Sequence, residues 1–420
     1  MKFVKLSPVW VMVLSIVALG LVSVHTASAQ TEKVLHAFGA GTDGAYPFDT
    51  PIFDGNGNMY GTTWEGGNTN HGTVFEMSPN GKGGWNETVL YNFQGRPTDG
   101  GKVNGGLILD AAGNLYGTSR YGGSEACSGA CGTVFELSNS GGTWTETILY
   151  LFTGGADGFH PYGGLTMDAA GNLYGMTHDG GSKGRGTVFE LTLNNGTWTK
   201  TILFNFGGSA GEFPVSTLTL DSLGNLYGAT SAGGVKNGGL VFELTKTAKG
   251  NWKEVVLHNF IGGADGSEPS ANVIFDTAGN LYTTTFYGGG GGCAAGCGTV
   301  VELSPSGSTW TETIIQKFTQ DATGYHLNSG VVIDSTGTII YGTTRDGGDL
   351  NVCNATGCGS VFKMTLSGGT WTRTQLYAFR GFPADGSVPF SGVTLNNGVL
   401  YGTTVFGGRN HPGTLYEVIP

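Results

Sequence analysis

The sequence predicts an all-β fold, a seven-bladed β-propeller of four-stranded antiparallel blades. Three observations carry this expectation. Gly accounts for 78 of the 420 residues and charged residues for only 12 %. That composition excludes coiled coils and large helical proteins, because Gly is a poor residue for helix interiors. A segment of the type Gly-Asn-Leu-Tyr-Gly-Thr-Thr recurs along the chain, and the two chain ends carry complementary parts of one repeat.

The anchor segment occurs at Gly57–Thr63, Gly113–Ser119, Gly171–Thr177, Gly224–Thr230 and Gly279–Thr285, with looser copies ending at Thr344 and Thr404. Its tyrosines are Tyr60, Tyr116, Tyr174, Tyr227, Tyr282, Tyr341 and Tyr401, spaced 53 to 60 residues apart. Such a period marks a repeat architecture, in which one unit cannot bury its faces alone. The second unit shows the pattern within a repeat. Gly106–Asp110 is a short apolar run. Asp110-Ala-Ala-Gly113-Asn114 is a hairpin turn, with Gly supplying positive φ and Asp bonding backbone N–H groups. Leu115–Ser119, Thr133–Ser138 and Trp144–Phe152 then alternate and are rich in β formers. Four antiparallel strands per unit and seven units make a propeller. A parallel β-helix has coils shorter than this period.

A ring must close. The chain ends at Gly413–Ile419, a copy of the third strand, and the seventh unit has no fourth. Residues Lys33–Phe38 match the fourth strand seen at Glu87–Phe93 and Glu254–Phe260. The N-terminal strand is therefore expected to complete the last blade, leaving no long open sheet edge.

Residues 1–29 read as a secretory signal peptide, with Lys2 and Lys5, an apolar run from Val9 to Val24, and Ala27-Ser28-Ala29 before the cleavage point. Cleavage leaves 30–420 as a single propeller domain, secreted to the extracellular space or periplasm or held at the cell surface, with no further membrane insertion; the alternative is an uncleaved signal anchor, because the apolar run is nearly long enough to span. The net charge of −11 repels phosphate backbones, so nucleic acid is not an expected partner. Export permits disulfides. The six cysteines fall in three loops as Cys127/Cys131, Cys293/Cys297 and Cys353/Cys358, each in an insertion before the third strand. Local disulfides pinning those insertions are expected.

The motifs Leu-x-x-Asp-x-x-Gly-Asn-Leu-Tyr-Gly-Thr-Thr, Gly-Thr-Val-Phe-Glu-Leu and Phe-x-Gly-Gly-x-Asp-Gly together resemble the GloVer (Gloeobacter–Verrucomicrobia) tandem repeat family, of choice-of-anchor type. The resemblance spans nearly the whole chain after the leader. It implies an exported bacterial protein, commonly tethered by a C-terminal sorting tail. This sequence departs from that pattern by ending at Pro420 without a tail. The family supplies no catalytic residue to carry over. A weaker likeness extends to other Asp-x-x-Gly-Asn propeller repeats, including sensor and lyase propellers.

Positions that do not recur are free to carry function. After each Gly-Thr-Thr stand two variable residues and then a Gly-Gly pair. The variable pairs are Trp64-Glu65, Arg120-Tyr121, His178-Asp179, Ser231-Ala232, Phe286-Tyr287, Arg345-Asp346 and Val405-Phe406. Propeller geometry places all seven on one face. Trp64, Arg120, Tyr121, His178, Phe286, Tyr287, Arg345 and Phe406 are the expected ligand-binding residues, for a glycan or a protein. Trp64 stands apart, because Trp85, Trp144, Trp198, Trp252, Trp310 and Trp371 recur at the start of the fourth strand and read as core. For a polysaccharide lyase or glycoside hydrolase, the acid–base candidates are Glu65, Asp179 and Asp346, with His178 or Tyr121 for proton abstraction. A purely structural surface protein is the third alternative. No cofactor motif is present and no His pair has ligand spacing, so neither a cofactor nor a metal is expected. The hairpin aspartates, and the interblade aspartates Asp43, Asp99, Asp157, Asp265 and Asp385, recur as turn formers. The chain is expected to act as a monomer.

Overall fold

A computed structural model describes residues 32–39, 41–127, 129–307 and 309–420. The expected leader at 1–29 and its expected cleavage point lie outside them. Among the described residues the chain forms seven antiparallel sheets, each built on four principal strands, arranged as the blades of a ring. In the first blade these are Ile52–Phe53, Met59–Thr63, Thr73–Pro79 and Trp85–Asn92. The seventh blade takes Val393–Asn396, Val399–Thr404 and Thr414–Val418 from the C-terminal end and Glu32–Ala37 from the N-terminal end. Glu32 pairs with Val418 and Ala37 with Thr414, so the closure read from the repeat offset is present. The third and fourth strands slip register at the same point in every blade. In the first the slip falls between Val74 and Phe75, and in the closing blade between Val34 and His36.

The recurring motifs follow from local chemistry. Asp110 accepts hydrogen bonds from the N–H groups of Ala112 and Asn114, from Asn114 Nδ2 and from the Tyr116 hydroxyl. One carboxylate thus closes the hairpin and holds the anchor tyrosine. Burial opposes its ionisation, and these bonds together outweigh that and lower its pKa. The last Thr of Gly-Thr-Thr meets the first Thr of the next strand in a buried hydroxyl pair, as in Thr63 with Thr73 at 2.9 Å. The preceding hydroxyl reaches across blades, as in Thr118 to the Gly163 carbonyl.

The core is distributed over seven apolar clusters rather than gathered in one. Each cluster joins neighbouring blades. The Phe ending one fourth strand meets the third-strand aromatic of the next blade edge-on, as in Phe93–Phe135 at 5.1 Å and Phe152–Phe189 at 5.3 Å between ring centres. The six fourth-strand tryptophans differ from expectation. They are half-buried and pack on the margins of these clusters, because the fourth strand is the outer strand of its blade.

All three expected disulfides are formed. Cys131, Cys297 and Cys358 are fully buried, so each insertion is pinned to the interblade core at its base. Interblade loops and the extended ends of the second strands pair on one face. Ala45 and Glu65 exchange backbone hydrogen bonds there, and Gly100–Gly101 pair with Tyr121–Gly122. This pairing brings the variable positions to the rim of the ring axis.

Candidate functional site: the variable rim and the axial cavity

One backbone feature organises the rim. In each blade the chain turns into its first strand through a non-glycine residue in the left-handed region. These are Tyr46, Lys102, His160, Phe213, Glu268, His326 and Val388, with φ between 53° and 57°. L-residues other than Gly adopt this conformation only when their surroundings enforce it. Here the preceding blade enforces it. The Tyr46 N–H donates to the Pro412 carbonyl and the His160 N–H to the Cys131 carbonyl, while the Tyr46 carbonyl accepts from Trp64 N–H. The turn sets these seven side chains beside the variable pairs.

Aromatic rings form a continuous arc over four blades. Centre-to-centre distances are 4.9 Å for Phe390–Phe48, 5.6 Å for Phe48–Trp64, 5.8 Å for Trp64–Tyr121 and 4.9 Å for Tyr121–His160. All five are only partly buried. Arg120 lies over the rings of Tyr121 and Tyr162, and the Lys102 ammonium stands 5.9 Å from the centre of Trp64.

The three candidate carboxylates each have a basic partner. Lys102 Nζ donates to Glu65 Oε1 at 2.6 Å. Asp179 Oδ2 lies 3.0 Å from His160 Nδ1 and 3.1 Å from His178 Nδ1. Burial opposes ionisation of Asp179, but the two imidazoles more than offset that and hold its pKa well below the usual range. Asp346 Oδ2 lies 2.8 Å from His326 Nδ1. The structure therefore gathers Trp64 and Tyr121 into the arc and sets His178 against Phe213, 5.1 Å away in a stacked arrangement. Phe286 is buried and stacks on His326 at 4.7 Å, with Tyr287 against its edge. Arg345 is exposed and lies over Phe286. Phe406 is 44 % exposed and meets Tyr46 edge-on.

Inside the arc lies an axial cavity of about 260 Å³. Phe48, Tyr162 and Phe390 give it aromatic walls, and Asn104, Asn272 and Asn328 give it amides. Asp49 is the one carboxyl among the described residues of its lining. Burial raises the Asp49 pKa to about 6, against the lowering effect of a backbone hydrogen bond from Thr50. Glu65, Asp179 and Asp346 do not line this cavity.

Phe48, Asp49, Tyr162 and Phe390, with the rim residue Lys102, escaped the sequence reading. Their signal was available. They occupy the segment just before each first strand, where the seven units also diverge, for example Tyr46-Pro47-Phe48-Asp49 against His160-Pro161-Tyr162-Gly163.

No match was found among curated proteins. Solved structures share the fold, among them the following two. A candidate 6-phosphogluconolactonase from Bacteroides uniformis has a TM-score of 0.53 and 12 % identity, over 82 % of this chain and 88 % of that one. The extracellular domain of a candidate one-component system from B. thetaiotaomicron has a TM-score of 0.53 and 11 % identity, over 90 % of this chain and 40 % of that one. At these identities the likeness is one of fold. A family model described as the Gloeobacter/Verrucomicrobia repeat matches twice, over residues 17–242 and 218–420. With the repeat visible blade by blade and matched over residues 17–420, the chain belongs to the Gloeobacter/Verrucomicrobia repeat family.

Proposed function

We propose that this protein binds an extracellular glycan at the mouth of the axial cavity, as a monomer in an oxidising compartment outside the cytoplasm. The observation that carries the reading is the aromatic arc from Phe390 to Tyr121 opening on a cavity walled by amides, hydroxyls and one carboxyl. A sugar presents an apolar C–H face and a rim of hydroxyls. Partly exposed rings stack on the first, and amides and carboxyls bond the second. The three disulfides support an oxidising compartment. Among the described residues no helix is long and apolar enough to cross a membrane.

Glycoside hydrolysis in its usual form needs two carboxyl groups flanking one bond, within about 10 Å of each other. Asp49 is the one carboxyl among the described residues of this cavity's lining, and the candidate carboxylates Glu65, Asp179 and Asp346 are matched to Lys102, His160 and His326, while Glu268 lines the adjoining rim pocket instead. That distribution favours binding over hydrolysis. The test is a glycan array probed with the mature protein and with Trp64→Ala. Loss of one aromatic face is expected to weaken the bound glycans about tenfold. Equal binding of the same glycans by both proteins would remove Trp64, and the arc with it, from the site.

A further inference from the structure

The interblade aspartates do more than form turns. Asp43, Asp99, Asp157, Asp265 and Asp385 accept a loop N–H, as Asp157 does from Thr153 and Asp265 from Ile261. Each also faces the fourth strand of the blade before it and of the blade after it. The same three positions therefore meet at each of these seams, and the sequence varies them. Between the second and third blades Lys200 Nζ reaches Asp157 Oδ1 at 2.7 Å. Between the fifth and sixth, Arg373 binds the carbonyl of Gly324 beside Asp321. At the first of these seams the chain places its own cation against the aspartate, and at the second against Thr323, which stands at the aspartate's position, with Asp321 nearby.

Two other seams carry a second carboxylate in place of that cation, and a histidine. They are His36–Asp43–Glu87, between the seventh and first blades, and His258–Asp265–Glu312, between the fourth and fifth. In each, one ring nitrogen and two carboxylate oxygens lie within 4.8 Å of one another. His36 Nε2 is 3.0 Å from Asp43 Oδ1; His258 Nε2 is 3.3 Å from Asp265 Oδ1 and 3.8 Å from Glu312 Oε1. Ligands about 2.0–2.1 Å from a tetrahedral zinc ion stand about 3.3 Å apart, so little movement separates this arrangement from coordination. Glu87 Oε1 and Glu312 Oε1 are buried without a hydrogen-bond partner, as are Glu32, Glu146 and Glu254 Oε1 at the matching position of other seams, and these two seams add a histidine nitrogen to the cluster.

We propose that these two seams each bind one divalent transition-metal ion of the zinc class, which takes the place that Lys200 and Arg373 fill elsewhere in the ring. An imidazole with two carboxylates suits zinc better than calcium or magnesium, which prefer all-oxygen sites. Three protein ligands leave one position open. Because the ligands come from two blades and the loop between them, the ion would clamp blade to blade, and at the first site it would tie the closing strand to the first blade.

The test uses the metal-free mature protein titrated with zinc chloride and followed by calorimetry and thermal melting. Two tight equivalents are expected, with a rise in Tm of about 3 °C. His36→Gln and His258→Gln should each remove one equivalent, and the double variant both. His178→Gln should remove none, which separates these sites from the His160–His178–Asp179 cluster on the rim. In wild-type protein, zinc should shift the ring ¹⁵N resonances of His36 and His258, a readout that requires no variant to fold. Fewer than two tight equivalents in the wild type, unchanged uptake in the double variant, or uptake lost with His178→Gln would overturn the proposal.

Discussion

The glycine of Tyr-Gly-Thr-Thr is fixed by the residue opposite it. Gly61 pairs with Phe75, Gly117 with Phe135, Gly175 with Phe189, Gly228 with Phe242, Gly342 with Phe362 and Gly402 with Tyr416. A Cβ on Gly175 would meet Phe189 Cζ at 2.5 Å, and the other five meet their partner at 2.4–2.8 Å. The ring lies across the bare backbone and reaches the neighbouring blade's core. The fifth blade reverses the choice, with Thr283 opposite Val301. Volume is conserved across the pair, which is how close-packed cores tolerate change. Val301→Phe alone is therefore expected to destabilise the protein by about 1–3 kcal/mol through overpacking. Adding Thr283→Gly should recover most of that loss, giving a coupling energy in a denaturant double-mutant cycle. Additive effects would show that the two positions are independent.

At the scale of strands and loops, most of the architecture was legible because one period was written seven times. The Asp-x-x-Gly-Asn turn, the alternating third strand and the missing fourth strand of the last unit each had a single structural reading. The rim was legible in part. The variable pairs announce a face, but which of them line the axis depends on the left-handed turn at Tyr46 and its six counterparts, and no residue type there signals positive φ. The seam aspartates were legible as turn formers only, since the Glu, Lys or Arg facing them comes from a strand about 45 residues further on. The cysteine insertions were fully readable. Cys127–Cys131 and Cys293–Cys297 are four residues apart and Cys353–Cys358 five, and rings so short remove little entropy from the unfolded chain. Cys293→Ala breaks one ring and leaves Cys297 buried. It should cost at most about 2 kcal/mol in urea unfolding and leave the β-sheet circular dichroism unchanged. A larger loss would mean that the insertion carries packing of its own.

The whole ring depends on Glu32–Ala37 staying zipped to Thr414–Val418, and the chemistry of that seam makes the joint sensitive to pH. Glu32 faces Asp385 of the interblade loop, Glu417 of the paired strand and the hydroxyl of Tyr377, with Arg380 beside Asp385. Burial, then repulsion from Asp385 and Glu417, raise the Glu32 pKa to about 8, although a hydrogen bond from Tyr377 opposes the shift. Its ordinary value is 4.5. A raised carboxyl binds its proton more tightly in the folded state, so its stabilising effect is complete below about 4.5 and is lost as pH rises towards 8. Glu146, raised to about 8 at the seam between the first and second blades, acts in the same direction. The hairpin aspartates act oppositely, but only in acid: hydrogen bonds lower Asp54, Asp110, Asp168 and Asp276, so their stabilisation is lost below about pH 4. Melting midpoints measured from pH 4 to 9 in a metal-free buffer should therefore peak near pH 5 and decline towards 8. Glu32→Gln keeps the neutral shape of the side chain and should flatten part of that decline, with a gain over wild type that grows up to about pH 8 and levels off above it. Parallel profiles for the two proteins would place the pH-sensitive joint elsewhere in the ring.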